Sequence, residues 1–190
     1  MIKAQQKGQR VAVLVDVQNM YYSARYAYDQ RVNFKHVLEE AVQKRVLTRA
    51  IAYAIQTEDL KNEPFFDALE KQGFEVKTKD LQVFSSGAKK GDWDVGIAMD
   101  AIRLARKVDT IILVSGDGDF RPLVQHLQHS FGCRVEAMAF GKSASHLLKS
   151  VVDQFTDLDE QSEKFLIKRK TKKSESTKKS IRKKTGGSKK

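Results

Sequence analysis

Two short segments carry most of the constraint on the fold. Val11, Ala12, Val13, Leu14 and Val15 form an unbroken apolar run, and Thr110, Ile111, Ile112, Leu113 and Val114 form another. A strand with one wet face alternates apolar and polar side chains. A run with no charged or amide member suits a strand covered on both faces, which is the habit of parallel sheets. Parallel neighbours need long crossovers, usually helical, and the rest of the chain supplies them. Helices are expected over 20–27, over 33–44, from Pro64 to the stop at Gly73, over 94–107, over 122–131 before Gly132, and over 143–152. In the second of these, Phe34, Val37, Leu38, Ala41 and Val42 recur at helical spacing. Further strands are expected over 50–55, 74–78 and 134–140. The alternation of Phe74, Val76 and Thr78 with Glu75 and Lys77 puts that strand nearer an edge. Strands alternating with helices predict an α/β fold: a parallel, doubly wound sheet with helices on both faces.

Charge divides the chain. From Lys164 to Lys190 there are 13 Lys and Arg against one acid, Glu175, whereas residues 1–163 hold 22 basic and 23 acidic residues. The net charge of +11 therefore belongs to the C-terminal segment and not to the folded part. The expected organisation is a flexible N-terminus over 1–9, a domain over 10–160 and a disordered basic tail over 161–190. The tail holds too little apolar surface to offset its ordering entropy. Its lysines and arginines, Lys168, Arg169, Lys170, Lys172 and Lys173 among them, suit a polyanion, because each contact with a phosphate releases a counterion. RNA, DNA or an acidic partner would serve. Cys133 is the sole cysteine, which excludes an intramolecular disulfide and a cysteine zinc cluster. The polar start lacks the apolar stretch of a signal peptide, and no run is long enough to span a membrane, so a cytoplasmic location is expected.

The acidic residues sort by one rule. In a doubly wound sheet, sites form at the carboxyl ends of the strands, and each crossover helix begins at that same edge. Asp16 directly follows the first buried run. Asp117 and Asp119 follow the second through Ser115 and Gly116, and Asp94 lies near the start of the helix over 94–107. Four aspartates are thus expected together. Like charges raise each other's pKa, and a hard cation relieves that cost. Carboxylate oxygens suit Mg²⁺ or Mn²⁺, which can activate water for phosphodiester cleavage. Each aspartate also has a simpler use: Asp16 as a helix cap, Asp94 at a helix dipole, Asp117 and Asp119 in a turn. Asp100 lies six residues past Asp94, about 9 Å along the helix, and is expected to be structural or to stand behind the site.

Three segments resemble a known family. Residues 13–19, with Asp16 and Asn19, resemble the opening strand motif of NYN domains; residues 90–100 resemble their central helix; residues 115–124 resemble their fourth-strand loop. The LabA-like subgroup is the nearest in pattern, and the resemblance spans residues 10–158. It implies a PIN-like fold, metal carboxylates at Asp16, Asp94, Asp117 and Asp119, and Asn19 as a polar helper beside them. Many PIN nucleases carry a further acid on an early helix, for which Glu39, Glu40, Glu58 and Asp59 are candidates here. Tyr21, Tyr22 and Trp93 are candidates for stacking on unpaired bases, Phe120 for the core, and Lys89 and Lys90 for phosphate contacts. The expected function is a divalent-metal-dependent nuclease cleaving single-stranded RNA; the alternative is a catalytically weak or inactive RNA-binding or regulatory module. No complete Gly-x-x-x-x-Gly-Lys-Ser/Thr phosphate loop (Gly141, Lys142 and Ser143 lack its first glycine, which is Glu136 here), dinucleotide glycine motif or nucleophile elbow competes with this reading. The oligomeric state is not legible.

Overall fold

The computed structural model describes residues 8–56, 63–83 and 89–167. In chain order the first half contains β1 (Arg10–Asp16), α1 (Val17–Tyr28), β2 (Arg31–Val32), α2 (Phe34–Val42), β3 (Val46–Gln56), α3 (Glu63–Lys71), β4 (Glu75–Asp80), β5 (Gln82–Val83) and β6 (Lys89–Lys90). The second half contains α4 (Asp94–Ala105), β7 (Thr110–Val114), a 3-10 turn (Gly118–Phe120), α5 (Arg121–Phe131), β8 (Arg134–Ala139), α6 (His146–Lys149) and β9 (Gln154–Asp157). A second 3-10 turn (Leu158–Gln161), α7 (Ser162–Phe165) and β10 (Leu166–Ile167) follow.

Six strands form one parallel sheet in the order β4-β3-β1-β7-β8-β9. The two apolar runs lie side by side at its centre, with Val11 opposite Thr110 and Val15 opposite Val114. Both are buried throughout, and their side chains alternate between two cores. Val11, Val13 and Val15 pack with α1 and α2, whereas Ala12 and Leu14 pack with α4 and α5. The chain builds outward from β1 through β3 to β4, then crosses to β7 and builds the other way. The reversal leaves a crevice between the carboxyl ends of β1 and β7, the position where open α/β sheets hold ligands. The expected doubly wound parallel fold is present.

Details differ from the sequence expectation for identifiable reasons. The last helix is a single turn, His146–Lys149, and not a helix over 143–152. Ser145 caps it by accepting from the Leu147 amide at 3.2 Å. Asp153 then donates its amide to the Val135 carbonyl at 2.8 Å, which starts β9 as a sixth strand. The ordered domain also reaches Ile167 and does not stop at 160. Phe165 and Leu166 are buried in the core beside α2, and β10 pairs antiparallel with β2. The lysine-rich composition that follows masks this apolar anchor. Residues 1–7 and the basic segment 168–190 lie outside the described residues.

Candidate metal centre

Asp16 ends β1 and caps α1, accepting from the Asn19 amide at 3.0 Å. Its second oxygen faces the Ser115 hydroxyl at 3.5 Å. Asn19 reaches across the crevice, where its Oδ1 accepts from the Gly116 amide at 2.9 Å. Ser115 Oγ also accepts from the Asp117 amide at 3.2 Å, and Asp117 Oδ1 caps the following turn by accepting from the Asp119 amide at 2.9 Å. The loop after β7 is thereby tied to the first turn of α1. Gly118 packs closely on the cap of α6, where a Cβ would lie 2.6 Å from Ser145 Oγ. Asp94 opens α4 immediately after Trp93.

Asp94, Asp117 and Asp119 can each present one carboxylate oxygen within 4.8 Å of the others. Asp16 is not one of these three. It lines the same cleft, of about 520 Å³, together with Asn19, Asp94 and Asp117. Three of the four expected aspartates thus meet within 4.8 Å, and Asp16 lies beside them with its Oδ1 capping α1. Among the described residues, no ion pair engages any of the four. The crowding contributes to the acidity of Asp16 and Asp94. Burial chiefly, then the charges of Asp94 and Asp117, push Asp16 up to about 6 against the hydrogen bond from Asn19. Asp94 is likewise raised, by burial first and then by Asp117, Asp92 and Asp119. A crowded, all-oxygen set with no ion pair among the described residues fits a hard divalent ion.

The other expected residues separate. Asp100 is buried away from the cluster and held by Lys77 Nζ and Tyr53 Oη, at 2.7 and 2.8 Å. Burial raises its pKa, but those two bonds and the nearby charges of Lys77 and Arg103 outweigh it, and the carboxyl sits below its usual range. Its structural role agrees with the sequence expectation. Phe120 is core. Trp93 forms a wall of the cleft, and its Nε1 donates to the Ala54 carbonyl at 2.9 Å. Its ring packs on Tyr53 with Lys79 Nζ 4.9 Å from the centroid, so it offers little free face. Glu39 pairs with Lys35 and Glu40 with Lys164, and neither lines the cleft. Glu58 and Asp59 lie outside the described residues, as do Lys168, Arg169, Lys170, Lys172 and Lys173. The backbone of Lys89 and Lys90 pairs with β5 just ahead of the site, while their side chains are not among those described. Sequence reasoning missed Ser115, Asp92, Lys142 and Tyr26. Ser115 could have been found from its place directly after the buried run that ends at Val114, and Tyr26 from its spacing of four after Tyr22.

The sequence model of the NYN domain matches residues 10–159. The chain belongs to the NYN domain family. That family has a PIN-like nuclease fold, consistent with the sheet order and the acidic cluster above. The low amplitude and bright protein LabA of Synechococcus elongatus is 25% identical over 160 residues, covering 80% of this chain and 84% of LabA. This likeness makes the chain a LabA-like NYN protein. A protein of unknown function from Vibrio parahaemolyticus is 39% identical, and its crystal structure superposes with a TM-score of 0.77 over 86% of this chain and 99% of that one. No helix among the described residues of this NYN protein is long and apolar enough to cross a membrane.

Proposed function

We propose that this NYN protein is a divalent-metal-dependent ribonuclease acting on single-stranded RNA. The observation that carries the reading is the convergence of Asp94, Asp117 and Asp119 within 4.8 Å at the crevice between β1 and β7. These three carboxylates would hold Mg²⁺ or Mn²⁺. When bound, such an ion supplies Lewis acidity toward a phosphodiester and a counter-charge for its leaving oxygen. Asp16 adds negative charge to the floor and fixes the first turn of α1. Asn19 acts as a positioning residue, since it holds the Gly116 amide and with it the loop that carries Asp117 and Asp119. Lys142, exposed on the cleft wall, is placed to meet a phosphate. Lys89, Lys90 and the tail cations Lys168, Arg169, Lys170, Lys172 and Lys173 are assigned to the RNA backbone on charge alone.

The test is cleavage of single-stranded RNA with Mg²⁺ or Mn²⁺ by the wild-type chain and by Asp117→Asn and Asp94→Asn. Cleavage that disappears with EDTA and drops at least ~100-fold in both variants is expected, since placement and electrostatics at such sites contribute factors of that order. Equal activity in variants and wild type overturns the reading, as does an absence of cleavage in all of them across varied substrates.

A further inference from the structure

The buried face of α1 is made by Val17, Met20 and Ala24. Tyr22 and Tyr26 stand on the exposed side, where a helix ordinarily carries charged or small polar groups. Their rings stack one turn apart, with centroids 5.9 Å apart and planes 20° from parallel. Tyr21 braces Tyr22 edge-on at 5.4 Å. Tyr26 is 83% exposed, so its outer face meets only water. Both Tyr22 and Tyr26 line the cleft that contains Asp16, Asp94 and Asp117, and Lys142 lines it as well.

We infer that Tyr22 and Tyr26 form a stacking subsite for an unpaired nucleobase of the nucleic-acid strand whose phosphate reaches the acidic cluster. This rests on the nuclease reading above and adds a substrate contact to it. A flat, open aromatic face is the complement of a base, and a strand passing from it to the cluster brings its phosphates past Lys142. Such stacking tolerates every base, because each has a π-face. It demands that the base be unpaired, because duplex bases offer no free face. Spacing fixes the distance. Tyr22 and Tyr26 lie six and ten residues beyond Asp16, or about 9 and 15 Å along the helix at 1.5 Å per residue. The stacked base and the phosphate at the cluster therefore belong to different nucleotides of one strand.

The experiment uses the full-length chain in EDTA and an end-labelled single-stranded RNA, with affinity read by fluorescence anisotropy. Titrations at about 50 and 200 mM salt separate phosphate contacts, which weaken steeply with salt, from stacking, which does not. Tyr26→Ala should weaken binding about 5- to 150-fold, the range for loss of one base–aromatic stack, with the deficit retained at the higher salt. Tyr26→Phe should restore it, since a phenyl ring stacks without the hydroxyl. One abasic nucleotide, scanned along the RNA, should weaken wild-type binding at a single position and leave Tyr26→Ala unaffected there. Duplex RNA should bind both proteins equally. Unchanged affinity in Tyr26→Ala, a deficit that Phe does not restore, or a deficit indifferent to the abasic position overturns the subsite. Cleavage assays on the same variants keep the two readings apart. RNA cleavage undiminished in Tyr26→Ala overturns the subsite alone, whereas a base-dependent, Tyr26-dependent affinity in a protein that never cleaves overturns only the catalytic reading.

Discussion

Neutralising Asp16 should make the protein more stable. The carboxyl rises from 3.8 to about 6 on folding, mainly because it is buried and then because Asp94 and Asp117 face it. A shift of that size corresponds to about 3 kcal/mol at 1.36 kcal/mol per pKa unit. The sign follows from proton linkage. The folded state binds the proton more tightly than the unfolded chain, so this contribution is fully present below the unfolded value. It is lost as pH rises through the folded one, leaving the charged form as a burden at neutral pH. Asp16→Asn removes the charge and keeps the cap, since Asn and Asp serve about equally at that position. It forfeits a favourable interaction with the α1 dipole worth about 0.3–1 kcal/mol. The net gain is about 2 kcal/mol, or a rise in Tm of roughly 4–8 °C for a chain of this size. Thermal unfolding of both proteins in EDTA measures it, with the gap expected to be widest near neutrality and mostly closed by about pH 4. A variant no more stable than wild type at neutral pH, or a gap that ignores pH, would refute the electrostatic account of the site.

Five further outcomes follow from the same structure. Mg²⁺ or Mn²⁺ at about 100 times its Kd should stabilise the wild-type protein by about 2.7 kcal/mol, and Asp117→Asn should lose most of that thermal shift. Asp100→Ala leaves the buried Tyr53 hydroxyl and the partly exposed Lys77 ammonium without their acceptor and should cost about 1–3 kcal/mol in denaturant unfolding. Because the Asp100 carboxyl is held low in the folded state, its contribution is present above the ordinary carboxylate range and fades as pH falls through the lowered value, so the acid limb of the wild-type stability curve should be steeper than that of Asp100→Asn. Gly141→Ala should cost about 1–3 kcal/mol in thermal unfolding, because its Cβ would lie 1.9 Å from the Asp157 oxygen whose carboxylate clasps the Gly141 and Asp159 amides. A chain ending after residue 160 should unfold at lower denaturant than one ending at Ile167, since only the shorter one loses Phe165 and Leu166 from the core.

The central sheet was legible because its two innermost strands have no polar face to hide. Once they are read as parallel neighbours, the strand-end rule places Asp16, Asp117 and Asp119 at one edge, and helix direction adds Asp94. The same geometry separated Asp100 from the cluster. What the sequence hid were elements too short to show a period. β9 alternates over only four residues, and the pairing of β10 with β2 rests on two residues in each strand. Phe165 and Leu166 sit against a run of lysines that dominates any composition window. The unequal standing of Asp16 was hidden for another reason. A cap and a ligand call for the same residue at the same place, and only the atoms show its Oδ1 already accepting the Asn19 amide. Tyr26 was overlooked because an exposed tyrosine carries no pattern until Tyr22 is seen beneath it.

The bond from the Gly116 amide to Asn19 joins two segments separated by 97 residues. Its consequence is preorganisation. Three carboxylates left to themselves would spread apart, and a cation would then have to spend binding energy drawing them together. With the loop clipped to α1, folding has already met part of that cost, and the affinity of the proposed centre for an ion would depend on Asn19, a side chain that supplies no carboxylate. Asn19→Ala removes no carboxylate, yet it should loosen metal binding by letting the charges relax. The grip of the proposed centre on a cation would thus be partly a property of how tightly the sheet is closed at its middle.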